Sequence, residues 1–223
     1  MNKGEQTKSA ILDEAAELAS LVGLGGLTIG TLAAATKLSK SGLYAHFDSK
    51  EALQVEVLRR ARDRFGDVVL RPAIKAPRGE PRLRAFFDHW IAWQSEGYGG
   101  GCIFVNAASE FDDQEGAVRD ELLRAERDKL ESISLVVGTA ITEGHFRPDV
   151  DPAQFAYELE GIILAHHHAK RLMRDDAAAE RARRAFERLL ADCRVVGAPA
   201  LAPAVGALTS TPSSSAAAAA PTA

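Results

Sequence analysis

The sequence predicts an all-α protein with a small N-terminal helical domain ahead of a larger helical bundle. Three observations carry that prediction. Apolar residues recur at three- and four-residue spacing through most of the chain, as on one face of a helix, and nowhere alternate with the period of a strand over a useful length. Candidate caps (Thr28, Ser39, Ser49 and the Asp151-Pro152 pair) stand immediately before several of these stretches. Glycine or proline clusters punctuate the gaps between them.

Taken in order, the first helix is expected over 6–22, with Ile11, Ala15, Leu18 and Val22 in one stripe and Gly23, Gly25 and Gly26 ending it. A short helix from Thr28 to about Ala35 carries Leu32 and Ala33 inward. After a turn at Thr36-Lys37-Leu38, Ser39 caps another short helix, Lys40 to His46. Ser49 caps a fourth, with Leu53 and Val57 inward and Arg59, Arg60, Arg62 and Arg64 near its end. The segment RPAIKAPRGEPR (71–82), with three prolines and a glycine, reads as a linker or helix–helix loop.

Beyond it, 83–95 forms a broad apolar face from Leu83, Phe86, Phe87, Trp90, Ile91 and Trp93. A long helix follows over 117–143, another from Pro152 to about Leu172, and a last one over 177–196. With the boundaries inside 97–117 left open, about nine helices are expected in total, in four zones: 1–70, 71–82, 83–196 and 197–223. The last zone is uncharged and dominated by Ala, Pro, Ser and Thr. It has few large side chains to offset the entropy of ordering, so it is expected to be disordered.

Composition excludes several functions. The chain of 223 residues is 46% apolar and carries a formal charge of −4. No apolar run is long enough for a membrane span, and the N-terminus turns acidic and amphipathic where a secretory signal would turn hydrophobic. Two cysteines far apart, Cys102 and Cys193, make no disulfide scaffold, so the cytoplasm is the expected compartment. The mild negative charge argues against coating nucleic acid non-specifically, yet its distribution is informative. Residues 1–70 hold nine basic and nine acidic side chains, while 37–50 hold Lys37, Lys40 and Lys50 against Asp48 alone.

That cationic stretch is also the most informative one. Two short helices joined by a turn over 28–50, TIGTLAAATKLSKSGLYAHFDSK, have the dimensions of a helix-turn-helix. Leu32, Ala33, Leu38 and Leu43 are placed to knit the pair together. The second helix opens on Ser39, Lys40, Ser41 and Gly42, short polar or cationic residues suited to approaching base edges and phosphates. Phe47 is expected in the core.

This segment resembles the helix-turn-helix of the TetR family of transcriptional regulators. The matching positions are Thr28, Leu32-Ala33, Leu38-Ser39, Leu43-Tyr44, His46-Phe47 and Ser49-Lys50-Glu51. One departure is Thr36-Lys37, where the family commonly has Ala-Gly. The stretch 100–122, GGCIFVNAASEFDDQEGAVRDEL, looks like a subgroup of that family with Gly-Cys, Glu-Phe-Asp-Asp and Val-Arg-Asp in its C-terminal domain. The resemblance implies a homodimeric regulator, usually a repressor, that leaves a palindromic operator in double-stranded DNA when a small molecule enters the C-terminal domain. Activation or dual regulation would use the same DNA contacts. Carried over by position, Thr28, Lys37, Ser39, Lys40, Ser41, Tyr44, His46 and Lys50 would face DNA.

The body is less explicit. Phe86, Trp90, Trp93, Cys102, Phe104, Phe111, Ile133, Val137, Phe155, Leu159 and Ile163 are candidates for an apolar effector pocket, or equally for plain core. The effector is accordingly expected to be at least partly apolar. His166, His167, Ala182, Phe186, Leu189 and Cys193 are candidates for the dimer interface, since family members pair through the equivalent last two helices. Successive residues of a helix diverge by about 100°, so His166, His167 and His168 do not face one metal ion, and none is expected. Glu110, Asp112 and Asp113 come without a nucleophile and base, which leaves an all-α enzyme or small-molecule binding protein as a remote alternative. No catalytic residue and no cofactor is expected.

Overall fold

The structure is a computed structural model that describes residues 3–195; Val196 and the expected disordered tail at 197–223 lie outside the described residues. The fold is all-α. In chain order come α1 (Lys3–Val22), α2 (Ile29–Thr36), α3 (Lys40–Tyr44) and α4 (Lys50–Phe65). α4 runs on through a π turn (Gly66–Leu70) into α5 (Arg71–Ile74). Then follow α6 (Glu80–Glu96), α7 (Ile103–Phe111), α8 (Ala117–Thr142), α9 (Pro152–Arg171) and α10 (Ala178–Cys193). Because α4, the π turn and α5 make one rod, the described residues form nine rods. Their β-pairing is confined to an isolated bridge between Phe146 and Arg194. None of their helices is long and apolar enough to cross a membrane.

The caps act as their sequence positions suggest. Thr28 and Thr31 exchange hydrogen bonds: the Thr31 amide donates to Thr28 Oγ1 at 3.0 Å and the Thr28 amide to Thr31 Oγ1 at 2.8 Å. Ser39 accepts from the Gly42 amide at 3.1 Å, and Ser49 from the Ala52 amide at 3.0 Å. α1 and α4 are tied by a bidentate pair in which Arg60 donates to both oxygens of Asp13 at 2.7 and 2.8 Å. Leu24, Leu27, Leu32, Leu43, Phe47 and Leu53 fill the space between the first four helices. Leu38, expected to help join α2 and α3, is instead 41% exposed. It follows directly on a left-handed residue that turns the chain outward.

That residue is Lys37, which ends α2 with φ of 59°. A side chain in this region costs about 1–2 kcal/mol, part of which glycine's greater unfolded-state entropy would cancel. Lys37→Gly is therefore expected to stabilise folding by about 0.5–1 kcal/mol, read as a higher urea midpoint, while removing a cation beside the turn. A lower midpoint would contradict the strain.

Several segments depart from expectation. The helix expected to reach His46 ends at Tyr44, with Ala45 and His46 in a turn. The 71–82 stretch is not a continuous loop: Arg71–Ile74 is helical, α6 begins at Glu80, and only 75–79 connects them. Pro72 fits inside the rod because the π turn precedes it. The Arg71 amide reaches back to Gly66 O, and the wider turn relieves the clash that a proline ring makes with the carbonyl four residues earlier. The last helix ends at Cys193, short of 196, because Arg194 is extended (φ −65°, ψ 153°) and its backbone pairs with Phe146.

Candidate functional site

α2, the turn and α3 present one polar surface. Lys37, Ser39, Lys40 and Ser41 are exposed, and Tyr44 is 56% exposed, whereas Leu43 on α3 and Phe47 just after it are buried. A phenol left in solvent beside two buried neighbours is not there to pack. Its hydroxyl is free to donate to a phosphate. Ser39 and Ser41 hydroxyls lie 3.2 Å apart at the start of α3. His46 is half-buried, its ring centroid 6.3 Å from that of Phe47. Thr28 is occupied by its capping role. Lys50 donates to Gly25 O at 2.6 Å, leaving its other ammonium protons free for an anion.

The loop between α1 and α2 is fastened on every side. Glu110, on α7, accepts from the Leu24 amide at 3.1 Å and the Gly25 amide at 2.6 Å. Gln54 donates to Leu24 O at 2.6 Å, and Lys50 completes the set on Gly25 O. One turn away on the same face of α7, Asn106 donates to Ser20 O and to Gly100 O, both at 3.3 Å. The Gly100 amide donates to Ser20 Oγ at 3.0 Å and the Gly99 amide to Glu17 Oε1 at 2.9 Å. A Cβ on Gly100 would stand 1.8 Å from Ser20 O, so only glycine fits this approach. The sequence singled out Glu110 only as an acid without catalytic partners, and it gave Asn106 no role. The glycine clusters at 23–26 and 99–101 were the available signal, since each marks backbone that another element approaches closely.

In the body, Phe65 forms the hub of an aromatic cluster, edge-on to Trp93 at 5.5 Å, Trp90 at 6.0 Å, and Phe86 and Phe104 at 6.4 Å. These residues are packed tightly: the space bordered by Trp90, Cys102 and Phe104 is only about 20 Å³. Trp93, Phe111, Val137, Phe155, Leu159 and Ile163 are buried in the same core. Phe86 and Ile133 also line a larger cavity of about 280 Å³ between α5, α6 and α8. Lys129 lies under this cluster, 5.0 Å over the Trp90 ring and paired with Glu126 at 2.5 Å and Glu160 at 3.0 Å. Burial pushes the Cys102 thiol up, and the Cys193 thiol to about 11, which leaves both unreactive. Among the described residues no group of three or more His, Cys, Asp or Glu is placed to hold a metal ion.

The six residues expected at the dimer interface divide. His166, Ala182 and Leu189 border an open groove of about 630 Å³ between α9 and α10. Phe186 turns inward and stacks on Phe87 at 4.1 Å, and Cys193 is buried. His167 is interior as well: Nδ1 lies 2.8 Å from the Gln94 side-chain amide, and Nε2 3.2 Å from Asn106 Oδ1.

Burial, helped by the Arg171 charge, lowers the His167 pKa from 6.5 to about 4. Between those values the unfolded chain binds a proton that the folded chain refuses, so stability is lost as pH falls. Wild-type protein is expected to lose about 2 kcal/mol of stability through this group between pH 7 and pH 5, and His167→Gln to lose that dependence. Urea titrations at the two pH values measure it; parallel losses in both proteins would refute the assignment.

Comparison with known proteins agrees with this geometry. Residues 11–57 match the family profile described as bacterial regulatory proteins, tetR family. Residues 79–186 match the tetracyclin repressor-like C-terminal domain. No curated protein sequence matches the chain at a significant level. Among solved structures, a TetR-family transcriptional regulator from Cytophaga hutchinsonii superposes with a TM-score of 0.77 at 21% identity, over 87% of this chain and 98% of that one. A TetR transcriptional regulator from Chloroflexus aurantiacus gives 0.72 at 27% identity, over 86% and 96%. AibR, solved in complex with isovaleryl coenzyme A and operator DNA, gives 0.64 at 25% identity, over 82% and 95%. With the helix-turn-helix and the helical body each matched, and the two together spanning well over half its length, the chain belongs to the TetR family of transcriptional regulators.

Proposed function

We propose that the protein is a homodimeric, cytoplasmic transcriptional repressor that binds a palindromic operator and leaves it when a small molecule binds the body. The observation that carries the DNA-binding part is the exposed polar face at the start of α3. Lys40, Ser41 and Tyr44 stand clear of the protein while Leu43 and Phe47 anchor them from behind. In this assignment Ser39, Lys40 and Ser41 enter the major groove. Tyr44, Lys37, His46 and Lys50 contact its phosphate edge, and Thr28 holds α2 against the backbone. Residues 1–70 read DNA, and 83–196 dimerise and sense.

Support for pairing comes from the α9–α10 face. Gly161, Ala165, Ala182 and Ala185 line its groove, so a second helix pair can approach closely, and Tyr157 and Leu164 beside it are exposed apolar surface. A two-fold axis there would set two reading heads over successive major grooves. Release then requires that the effector favour one head separation by several kcal/mol, about 5.5 for a nearly complete switch.

Footprinting on DNA flanking the protein's own gene is expected to reveal a palindrome. Lys40→Ala and Tyr44→Ala are each expected to weaken binding to it by about tenfold, since each removes a charge-assisted or phosphate contact worth about 1–3 kcal/mol. Unchanged affinity in both variants would overturn the interface. Sedimentation of the same protein should return twice the 23.9 kDa chain mass.

A further inference from the structure

The cavity between α5, α6 and α8 differs in kind from the packed aromatic core. It holds about 280 Å³, room for about ten to fifteen non-hydrogen atoms at interior packing density. Leu83, Phe86, Ile133 and Val136 make its floor, and Ile74 and Leu135, at 59% and 66% exposure, leave its rim apolar. Exposed apolar side chains around a concave opening mark a surface that a ligand covers.

One wall is cationic. Arg82 donates through Nη2 to Ala76 O at 3.2 Å, but its Nε is sealed from solvent and has no hydrogen-bond partner. No carboxylate pairs with this guanidinium among the described residues; the nearby Arg78 is neutralised by Glu143 at 3.0 Å, and Arg84 by Glu80 at 2.9 Å. The guanidinium as a whole borders the cavity, and a cationic group without a carboxylate partner beside an apolar space favours an incoming anionic oxygen; a planar carboxylate suits it best. The other polar groups on the wall are less demanding. The Ser132 and Thr139 hydroxyls already donate to Asp128 O at 2.7 Å and to Leu135 O at 3.0 Å.

We propose that this cavity is the effector site and that it takes an apolar small molecule bearing one carboxylate, held by Arg82. The assignment rests on the effector-responsive function above and adds the chemical class of the effector. Position gives it leverage. Leu70, Ala73 and Ile74 on its wall are the far end of the rod whose other end, at Lys50, abuts the helix-turn-helix. A ligand wedged between α5 and α8 bears directly on that rod, with the π turn as its most easily re-registered point.

Decanoate and 4-phenylbutyrate, with decanol and 4-phenylbutanol as uncharged partners, test the site by calorimetry on the full chain without DNA. Each acid is expected to bind more tightly than its alcohol. Arg82→Met should weaken the acids by about tenfold or more and leave the alcohols within about twofold. Leu135→Glu, at an exposed rim position that cannot disturb the core, should also weaken the acids selectively. Selective loss in these variants supports the site whether or not operator DNA is released, because release, measured separately, judges the effector-responsive function. Failure of both acids to bind at about 1 mM, or equal losses for acid and alcohol, would overturn the proposal.

Discussion

Phe65→Ala is expected to remove about 3–5 kcal/mol of folding stability, a large share of the about 5–15 kcal/mol that a domain possesses. The ring is 6% exposed and meets four aromatic partners edge-on, an arrangement worth more than area burial alone. Its removal would open a void where the remaining space is about 20 Å³, so the neighbours have no slack with which to collapse. Phe65 is also the last residue of α4 before the π turn. The loss therefore falls where the rod that follows the helix-turn-helix is gripped by the body. Phe65→Leu, which keeps most of the volume, should recover more than half of the deficit in urea titrations. A deficit below about 1 kcal/mol in the alanine variant would mean that the hub is not tightly packed.

Glu80→Gln is expected to cost a similar about 3–5 kcal/mol, for an electrostatic reason. Glu80 is 1% exposed at the start of α6 and accepts from Arg84 Nε at 2.9 Å, Arg194 Nε at 2.9 Å and Arg194 Nη2 at 2.5 Å. Arg84 also grips Glu187 on α10 at 2.5 and 2.8 Å. The amide variant keeps the shape but strands positive charge in a buried site. Burial by itself would raise the Glu80 carboxyl, yet the hydrogen bonds and charges of Arg194 and Arg84 outweigh it and hold the pKa below the usual carboxylate range. Its contribution is thus present at neutral pH and is lost as pH falls through that lowered value. In the Gln variant the acid-most part of the pH–stability curve should flatten; an unaltered curve with unaltered stability would dismiss the network's role.

What was legible in the sequence was what local chemistry decides. Thr28, Ser39, Ser49 and Asp151 announce helix starts because a cap satisfies its own backbone within three residues. Leu43 and Phe47 are identifiable as core because they are the large wholly apolar side chains in an otherwise polar segment, 39–50. Pro72 misled because its tolerance depends on a π turn, which no local preference signals. Trp90 and Trp93 left pocket and core equally open, since periodicity says which face is apolar and not whether two such faces meet without a gap. His167 was expected at the dimer interface, and Glu110 was given no structural role, for a related reason. Their partners lie 85 and 73 positions away, and nothing near them in sequence names those partners.

The glycine contact between the body and the end of α1 bears on how this protein can be re-engineered. Swapping reading heads is an obvious way to redirect a regulator to a new promoter. Here the seam is cut to one pattern on both sides. Gly100 tolerates no substituent against Ser20, and the Glu110 carboxylate needs bare amides at Leu24 and Gly25. A foreign head joined at the rod alone would meet the body with a mismatched surface and a stranded carboxylate. A working transplant must carry the last turn of α1, the loop after it, and the Asn106–Glu110 face of α7 as one inherited unit.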